Sequence, residues 1–318
     1  MTQVTPRRIV VLAGGLSPER DVSLRSGRRL ADSLRQAQHQ VDVLDVDAGL
    51  VTTLQRDRPD CVIPLLHGSA GEDGALRDVL EALHLPYVGS DPAACRRAFD
   101  KPIASSLVGR AGMAVPKSVA LPHSTFRELG AAAVLDAVLD LVQLPVIVKP
   151  SRGGSSLGVS VVREGSALPA AMVAAFAYGD TAVIESFIVG TEVAVSVVDT
   201  DTGPLALPVV EIVPDGGVYD YLARYTAGAT EFFVPARLSP VGLAACAEAA
   251  VSAHQTLGLR DWSRTDLIID EAGTVWFLEV NVAPGMTETS TYPQAVTAAG
   301  LNLGLLAGNL VERALQRV

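Results

Sequence analysis

Residues 263 to 281, SRTDLIIDEAGTVWFLEVN, carry the densest chemistry in the chain. Two apolar runs flank a turn at Ala272 and Gly273, which predicts a β-hairpin with Asp266 opposite Glu279 and Arg264 opposite Asn281. Strand side chains alternate, so these four share one face, and Leu267, Ile269, Trp276, Leu278 and Val280 form an apolar face behind them. Two facing carboxylates repel each other, and an oxygen-only set of Asp, Glu and Asn suits Mg²⁺ better than a softer metal. The competing explanation is a solvated polar face on which an arginine bridges two acids.

A metal of this kind generally holds phosphate oxygens. Neither G-x-x-x-x-G-K-[ST] nor G-x-G-x-x-G occurs, which weighs against a P-loop enzyme and a nicotinamide-type dinucleotide fold. KPSRGGSSLG (149 to 158) offers instead a lysine at the end of an apolar strand, followed by small residues whose N–H groups can fold over phosphates. Lysine is scarce: only Lys101, Lys117 and Lys149 occur among 25 basic residues. Lys117 reads as a surface residue, whereas Lys149 follows a buried-looking VIV run where an unpaired ammonium would be costly. GGLSPERDVS (14 to 23) and HGSAGEDG (67 to 74) each follow the end of a predicted parallel strand, where open α/β sheets bind ligands. Taken alone they are turns and helix caps, and His67 is a structural histidine.

The elements that must position these groups read as follows. RRIVVLAGG is a buried strand, and SLRSGRRLADSLRQAQ is a helix with Leu24, Leu30 and Leu34 on one side. VDVLDVD, PDCVIPLL, a helix from Gly74 to Leu83 and a short strand LPYVGS repeat the alternation, so residues 1 to 97 form an α/β domain with a mainly parallel sheet. A helical stretch over DPAACRRAFDKPIASSLVGRAG leads to the strand VPKSVAL, a helix opened by a Thr125–Glu128 capping box, and the strand PVIVKP. The glycine loop turns into a further strand. Then come VIESFI, TEVAVSVVD and LALPVVEIV as strands, an irregular segment from Pro214 to Pro235, a helix near 239 to 257, the hairpin and one terminal helix.

The 318 residues can bury a large interior, and 49% apolar against 19% charged residues excludes disorder. The most apolar stretch, 131 to 148, carries Asp136 and Asp140 and is cut by Pro145, so no membrane span is expected. A net charge of −10 makes nucleic acid a poor partner. The N-terminus lacks a cleavage-site pattern, so the chain is expected in the cytoplasm. Cys61, Cys95 and Cys246 have no metal or disulfide spacing and read as buried free thiols.

Together GGLSPERDVSL, HGSAGEDG, Asp100-Lys101, KPSRGGSSLG, the stretch from Glu185 to Glu192, YDYLARY, RTD, LEVN and PGMTETS resemble, in order, the motifs of the D-alanine–D-alanine ligases of the ATP-grasp superfamily. The resemblance implies a mixed α/β and α+β, three-domain ATP-grasp fold: an N-terminal parallel-sheet domain (1–97), a central subdomain with the glycine loop (98–188) and a C-terminal subdomain (189–318). It implies ATP and Mg²⁺, two ions for which Mn²⁺ can substitute, D-alanine as substrate, and a homodimer. By this likeness Lys101 and Lys149 contact ATP phosphates, Glu185 the adenine amino group and Glu192 the ribose. Asp266, Glu279 and Asn281 match metal ligands, in agreement with the hairpin reading. Glu19 matches the residue that holds the first substrate's ammonium, and Ser155 and Tyr225 match its partners in a hydrogen-bonded loop closure. Arg264 and the Gly285 N–H match the oxyanion site, Ser290 lies near the second substrate's carboxylate, and His67 lines the first substrate's pocket.

Three positions bear on how closely the likeness holds. Arg224 stands where the family has a lysine reaching the γ-phosphate, and a planar guanidinium does not replace an ammonium point for point. Asp21 stands where a glutamate is usual. Tyr225 goes with D-alanine as acceptor. The implied reaction activates one carboxylate as an acyl phosphate and joins it to a second amine, with the 214 to 235 segment as a lid against water. Readings as a ligase for another amino-acid pair, or as a nucleotide-responsive binding protein, differ in the products they predict.

Overall fold

The computed structural model describes residues 5–216 and 228–317. β1 (Arg8–Leu12), β2 (Gln40–Leu44) and β3 (Cys61–Pro64) form a parallel sheet in the order β2-β1-β3. Alternation divides β1 between two cores: Ile9 and Val11 pack with Leu30, Leu34 and Leu310, and Val10 and Leu12 with Leu54, Leu66 and Leu80. The last helix, Leu303–Leu315, thus covers the first sheet, and Arg7 donates to both Glu312 carboxylate oxygens at 2.7 and 2.8 Å. LPYVGS is not a strand. Tyr87 makes one parallel bridge to Val62, because Pro86 has no N–H to extend the ladder and Gly89 turns the chain at φ +112°.

The helical stretch after residue 91 is two helices, Pro92–Phe99 and Lys101–Arg110. Asp91 and Asp100 each cap one, with a proline in the first turn, so the second helix starts where the first stops. That break puts Lys101 at a helix start facing the glycine loop. β4 (Ser118–Pro122), β5 (Val146–Pro150), β6 (Ser160–Val162) and β7 (Thr181–Ser186) form an antiparallel sheet ordered β4-β7-β5-β6. The capping box is corrected here. The helix begins at His123 with Pro122 at its N-cap, so Thr125 lies inside it, and Gly130 at φ +85° separates it from a second helix, Ala131–Val142.

β8 (Thr191–Thr200), β9 (Gly203–Ala206), β10 (Val210–Pro214), β11 (Thr230–Phe233), β12 (Trp262–Ile269) and β13 (Val275–Asn281) build the third sheet, ordered β11-β10-β8-β12-β13, with β9 also on β8. LALPVVEIV is therefore two strands, interrupted at Pro208, which has no ladder donor. The irregular segment is shorter than expected, since β10 and β11 pair from Glu211↔Phe233 to Pro214↔Thr230. Arg224 and Tyr225 lie outside the described residues. The terminal helical region is likewise two helices, Thr291–Ala298 and Leu303–Leu315, the second capped by Asn302. Cys61, Cys95 and Cys246 are buried free thiols. Among the described residues no single helix is long and apolar enough to cross a membrane.

Candidate active site

β12 and β13 pair Asp266 with Glu279 and Arg264 with Asn281, the register read from the sequence. Beyond Asp266 the register shifts by one, so Leu267 faces Phe277. This bulge corrects the apolar face of the hairpin. Phe277 joins Leu267, Ile269 and Val280 in the core, while Leu278 joins Ile268 on a cavity wall and Trp276 donates to Asp270 at 2.8 Å. One extra residue on β13 re-aims the side chains on the turn side and leaves the acidic end untouched.

Between the four-stranded and six-stranded sheets lies a cavity of about 500 Å³, within the usual range for small-molecule sites. Lys149, Glu185, Glu192, Glu211, Ile268 and Leu278 line it. A smaller compartment of about 90 Å³ adjoins it, lined by Glu19, His67, Ser155, Arg264, Asn281, Gly285 and Ser290. Lys101, Gly153, Gly154, Asp266 and Glu279 line both. Every described candidate residue therefore falls in one connected cleft.

Three cations of this cleft each meet a carboxylate. Lys149 Nζ lies 2.5 Å from Glu185 Oε1, with both side chains about nine-tenths buried, so the buried ammonium has its counter-charge. Lys101 Nζ donates to the Gly153 carbonyl at 2.7 Å and lies 3.1 Å from Glu279 Oε2. Arg264 donates to both oxygens of Asp266, at 2.7 and 2.9 Å. Asn281 Oδ1 accepts the Ala283 N–H at 2.8 Å. The two facing acids are thus each gripped by a cation, which marks this point as one that demands positive charge. Its donors are all oxygens, so the residues fit a hard divalent ion. Among the described residues no three His, Cys, Asp or Glu side chains are placed to hold a metal ion together, so an amide and oxygens from a ligand must complete such a site.

The glycine loop reaches across to the N-terminal segments. Ser155 adopts φ +53°, a left-handed conformation that costs a residue with a side chain about 1–3 kcal/mol. In that conformation its hydroxyl donates to Glu19 Oε1. A side chain at Gly154 would come within 2.9 Å of the same oxygen, so any larger residue there would have to push the Glu19 carboxylate aside. Ser17 joins the two N-terminal motifs, accepting the Glu19 N–H at 3.1 Å and donating to the His67 carbonyl at 2.9 Å. Burial, reinforced by Arg264, lowers His67 to about 4, so its imidazole is neutral at pH 7. It lies 3.3 Å from Ser26 Oγ, which accepts the Met286 N–H at 3.0 Å. Ser290 Oγ accepts the Thr287 N–H at 3.0 Å, and a side chain at Gly285 would meet that oxygen at 2.8 Å.

Two lining residues escaped the sequence reading. Glu72 is 5% exposed on the wall of the smaller compartment, and its only signal was membership of HGSAGEDG. Glu211 faces the larger cavity, where hydrogen bonds from Arg237 hold it below the usual carboxylate range. Treating LALPVVEIV as one strand obscured it.

A family model described as the D-ala D-ala ligase C-terminus matches residues 107–312. A D-alanine–D-alanine ligase of Anaeromyxobacter sp. (strain K) is 40% identical over 316 residues, 99% of each chain. The chain belongs to the D-alanine–D-alanine ligase family. Another member, from Pelotomaculum thermopropionicum, is 36% identical over 309 residues, 97% of each chain. A D-Ala:D-Ser ligase from Enterococcus faecalis superposes with a TM-score of 0.83 at 29% identity, covering 98% of this chain and 100% of that one. The D-alanine–D-alanine ligase of Bacillus anthracis gives 0.78 at 26% identity, covering 98% and 97%. For this ligase family the three sheets and the cleft between the second and third are the ATP-grasp fold.

Proposed function

We propose that the chain joins two D-alanines into D-alanyl-D-alanine, using ATP to activate the first carboxylate. The observation that carries the reading is the shared wall of the two compartments. Lys101, Gly153, Gly154, Asp266 and Glu279 stand where a nucleotide's phosphates in the larger cavity would meet an amino acid in the smaller one.

The larger cavity takes ATP, with Glu185 and Glu192 toward adenine and ribose and Lys149 and Lys101 countering phosphate charge. Asp266, Glu279 and Asn281 would hold magnesium, which supplies further positive charge beside the phosphates. Glu19, oriented by Ser155, receives the ammonium of the first D-alanine. Its carboxylate oxygen attacks the γ-phosphorus, ADP departs, and an acyl phosphate forms. The neutral amine of the second D-alanine, its carboxylate near Ser290, then attacks the acyl carbon. Arg264 and the Gly285 N–H face the oxyanion that develops, and as the peptide bond closes phosphate leaves and takes up the proton that the amine nitrogen gives up. His67 is neutral at pH 7, so it lines the pocket without adding charge to the donor site.

The test is purified protein with ATP, Mg²⁺ and D-alanine, the dipeptide read by mass and the phosphate by colour, with L-alanine beside it. Dipeptide from D-alanine alone is expected, and ATP-dependent turnover should vanish in Glu279→Ala. Near-normal turnover in that variant would refute the metal assignment. The likeness to a D-Ala:D-Ser ligase favours one second reading, in which D-serine is the acceptor. A mixed D-alanine and D-serine incubation decides between them by product mass. The family likeness also supports a homodimer, which sedimentation velocity checks.

A further inference from the structure

The smaller compartment contains a carboxyl group to which the reaction above gives no task. Glu72 ends the short helix Ser69–Glu72, is 5% exposed, and accepts the Gly68 N–H through Oε2 at 2.6 Å. Glu19 approaches the same glycine, since a side chain at Gly68 would lie 2.8 Å from Glu19 Oε2. Two buried carboxyl groups thus stand close to one residue and line one small cavity. The charges acting on Glu72 from the surrounding elements are those of Glu19, Arg264 and Arg77; Cys95 is near enough to feel its charge, and the neutral His67 lines the same compartment. Arg264 donates to both oxygens of Asp266, and Arg77 donates to the Gly71 carbonyl while its Nε and Nη2 are buried without a hydrogen-bond partner.

We propose that Glu72 is a second carboxyl of the donor ammonium subsite, neutral while the compartment is empty and ionised when a cationic amine enters beside Glu19. The proposal rests on the functional reading above and adds a residue and a proton to it. Burial, and then the charge of Glu19, push the Glu72 carboxyl up to about 8, so the empty site keeps its proton at pH 7. An entering ammonium brings positive charge to both carboxyl groups, favours the ionised form, and sends the Glu72 proton to solvent. The site therefore avoids two adjacent bare carboxylates when empty and offers both to the substrate when filled. Because binding releases a proton, affinity must rise with pH until Glu72 is already ionised in the empty protein.

Calorimetry tests this with D-alanine titrated into the protein carrying Mg²⁺ and a non-hydrolysable ATP analogue. Runs in two buffers of different protonation enthalpy at pH 7 give the protons exchanged. The wild type should release close to one proton per donor-site D-alanine, and its affinity should rise nearly tenfold per pH unit between about pH 6 and 7.5. Glu72→Gln should release none, bind roughly tenfold to a hundredfold more weakly, and show a flat pH profile. Wild-type binding without proton release, or a Gln variant that keeps both the release and the slope, overturns the proposal. If Glu72→Gln does not fold, the wild-type slope alone decides, and a flat one overturns it. D-alanine that binds without proton exchange sinks only the role of Glu72, whereas a protein that neither binds nor ligates D-alanine sinks the substrate reading and this inference with it.

Discussion

Replacing Glu185 by glutamine would leave the Lys149 ammonium buried without its counter-charge. The two groups are 2.5 Å apart, and their side chains keep only 9% and 10% of their exposure, so solvent screens them little. Breaking such a pair by removing one partner costs about 3–5 kcal/mol, because the remaining charge stays desolvated. At about 2 °C per kcal/mol for a chain of this size, the apparent Tm of Glu185→Gln should fall by about 6–10 °C. Lys149→Met should destabilise as well, since it leaves the buried Glu185 carboxylate without its counter-charge. The double variant Lys149→Met/Glu185→Leu removes both charges and restores apolar contacts, and should recover most of the loss. Circular dichroism melts without nucleotide measure all four proteins. A single variant within about 1 kcal/mol of wild type, or a double variant whose loss is the sum of the singles, would refute the reasoning.

The bulge predicts opposite outcomes at neighbouring positions: Phe277→Ala should lose about 3–5 kcal/mol in urea denaturation, while Leu278→Ala should weaken nucleotide binding at nearly unchanged stability. Equal destabilisation at both positions would argue for an unbulged hairpin. Gly285→Ala places a methyl 2.8 Å from Ser290 Oγ, so turnover should fall at least tenfold with the melting curve little moved, and unchanged kinetics would remove Gly285 from the oxyanion site. Glu72 holds its proton more tightly folded, at about 8, than at the ordinary 4.5, so its contribution to stability is complete below about 4.5 and is lost as pH rises through about 8. Between pH 5 and 8 the Tm of Glu72→Gln should therefore gain steadily on wild type, and a constant difference would show that Glu72 is ionised throughout.

Asp266 opposite Glu279 was legible because alternation and cross-strand pairing are counted over fewer than twenty residues of one hairpin. The shift from Leu278 to Phe277 was not, because turn residues do not say where an extra residue will be absorbed. The same limit split the helix at Asp100. Each Asp cap and its proline were visible, but whether the chain breaks there depends on what the second helix must reach, here Gly153.

Residue types, the glycine loop, the motif order and the facing acids of the hairpin belong to the sequence, since each is decided by neighbours a few positions away. The tertiary structure alone decided that Ser155 meets Glu19 across 136 positions of chain, that Glu185 answers Lys149, and that Glu72 is buried beside Glu19, where its carboxyl is pushed up. Those outcomes depend on burial and on distances between segments far apart in the chain, and the strength of a charge is set by the water its neighbours exclude.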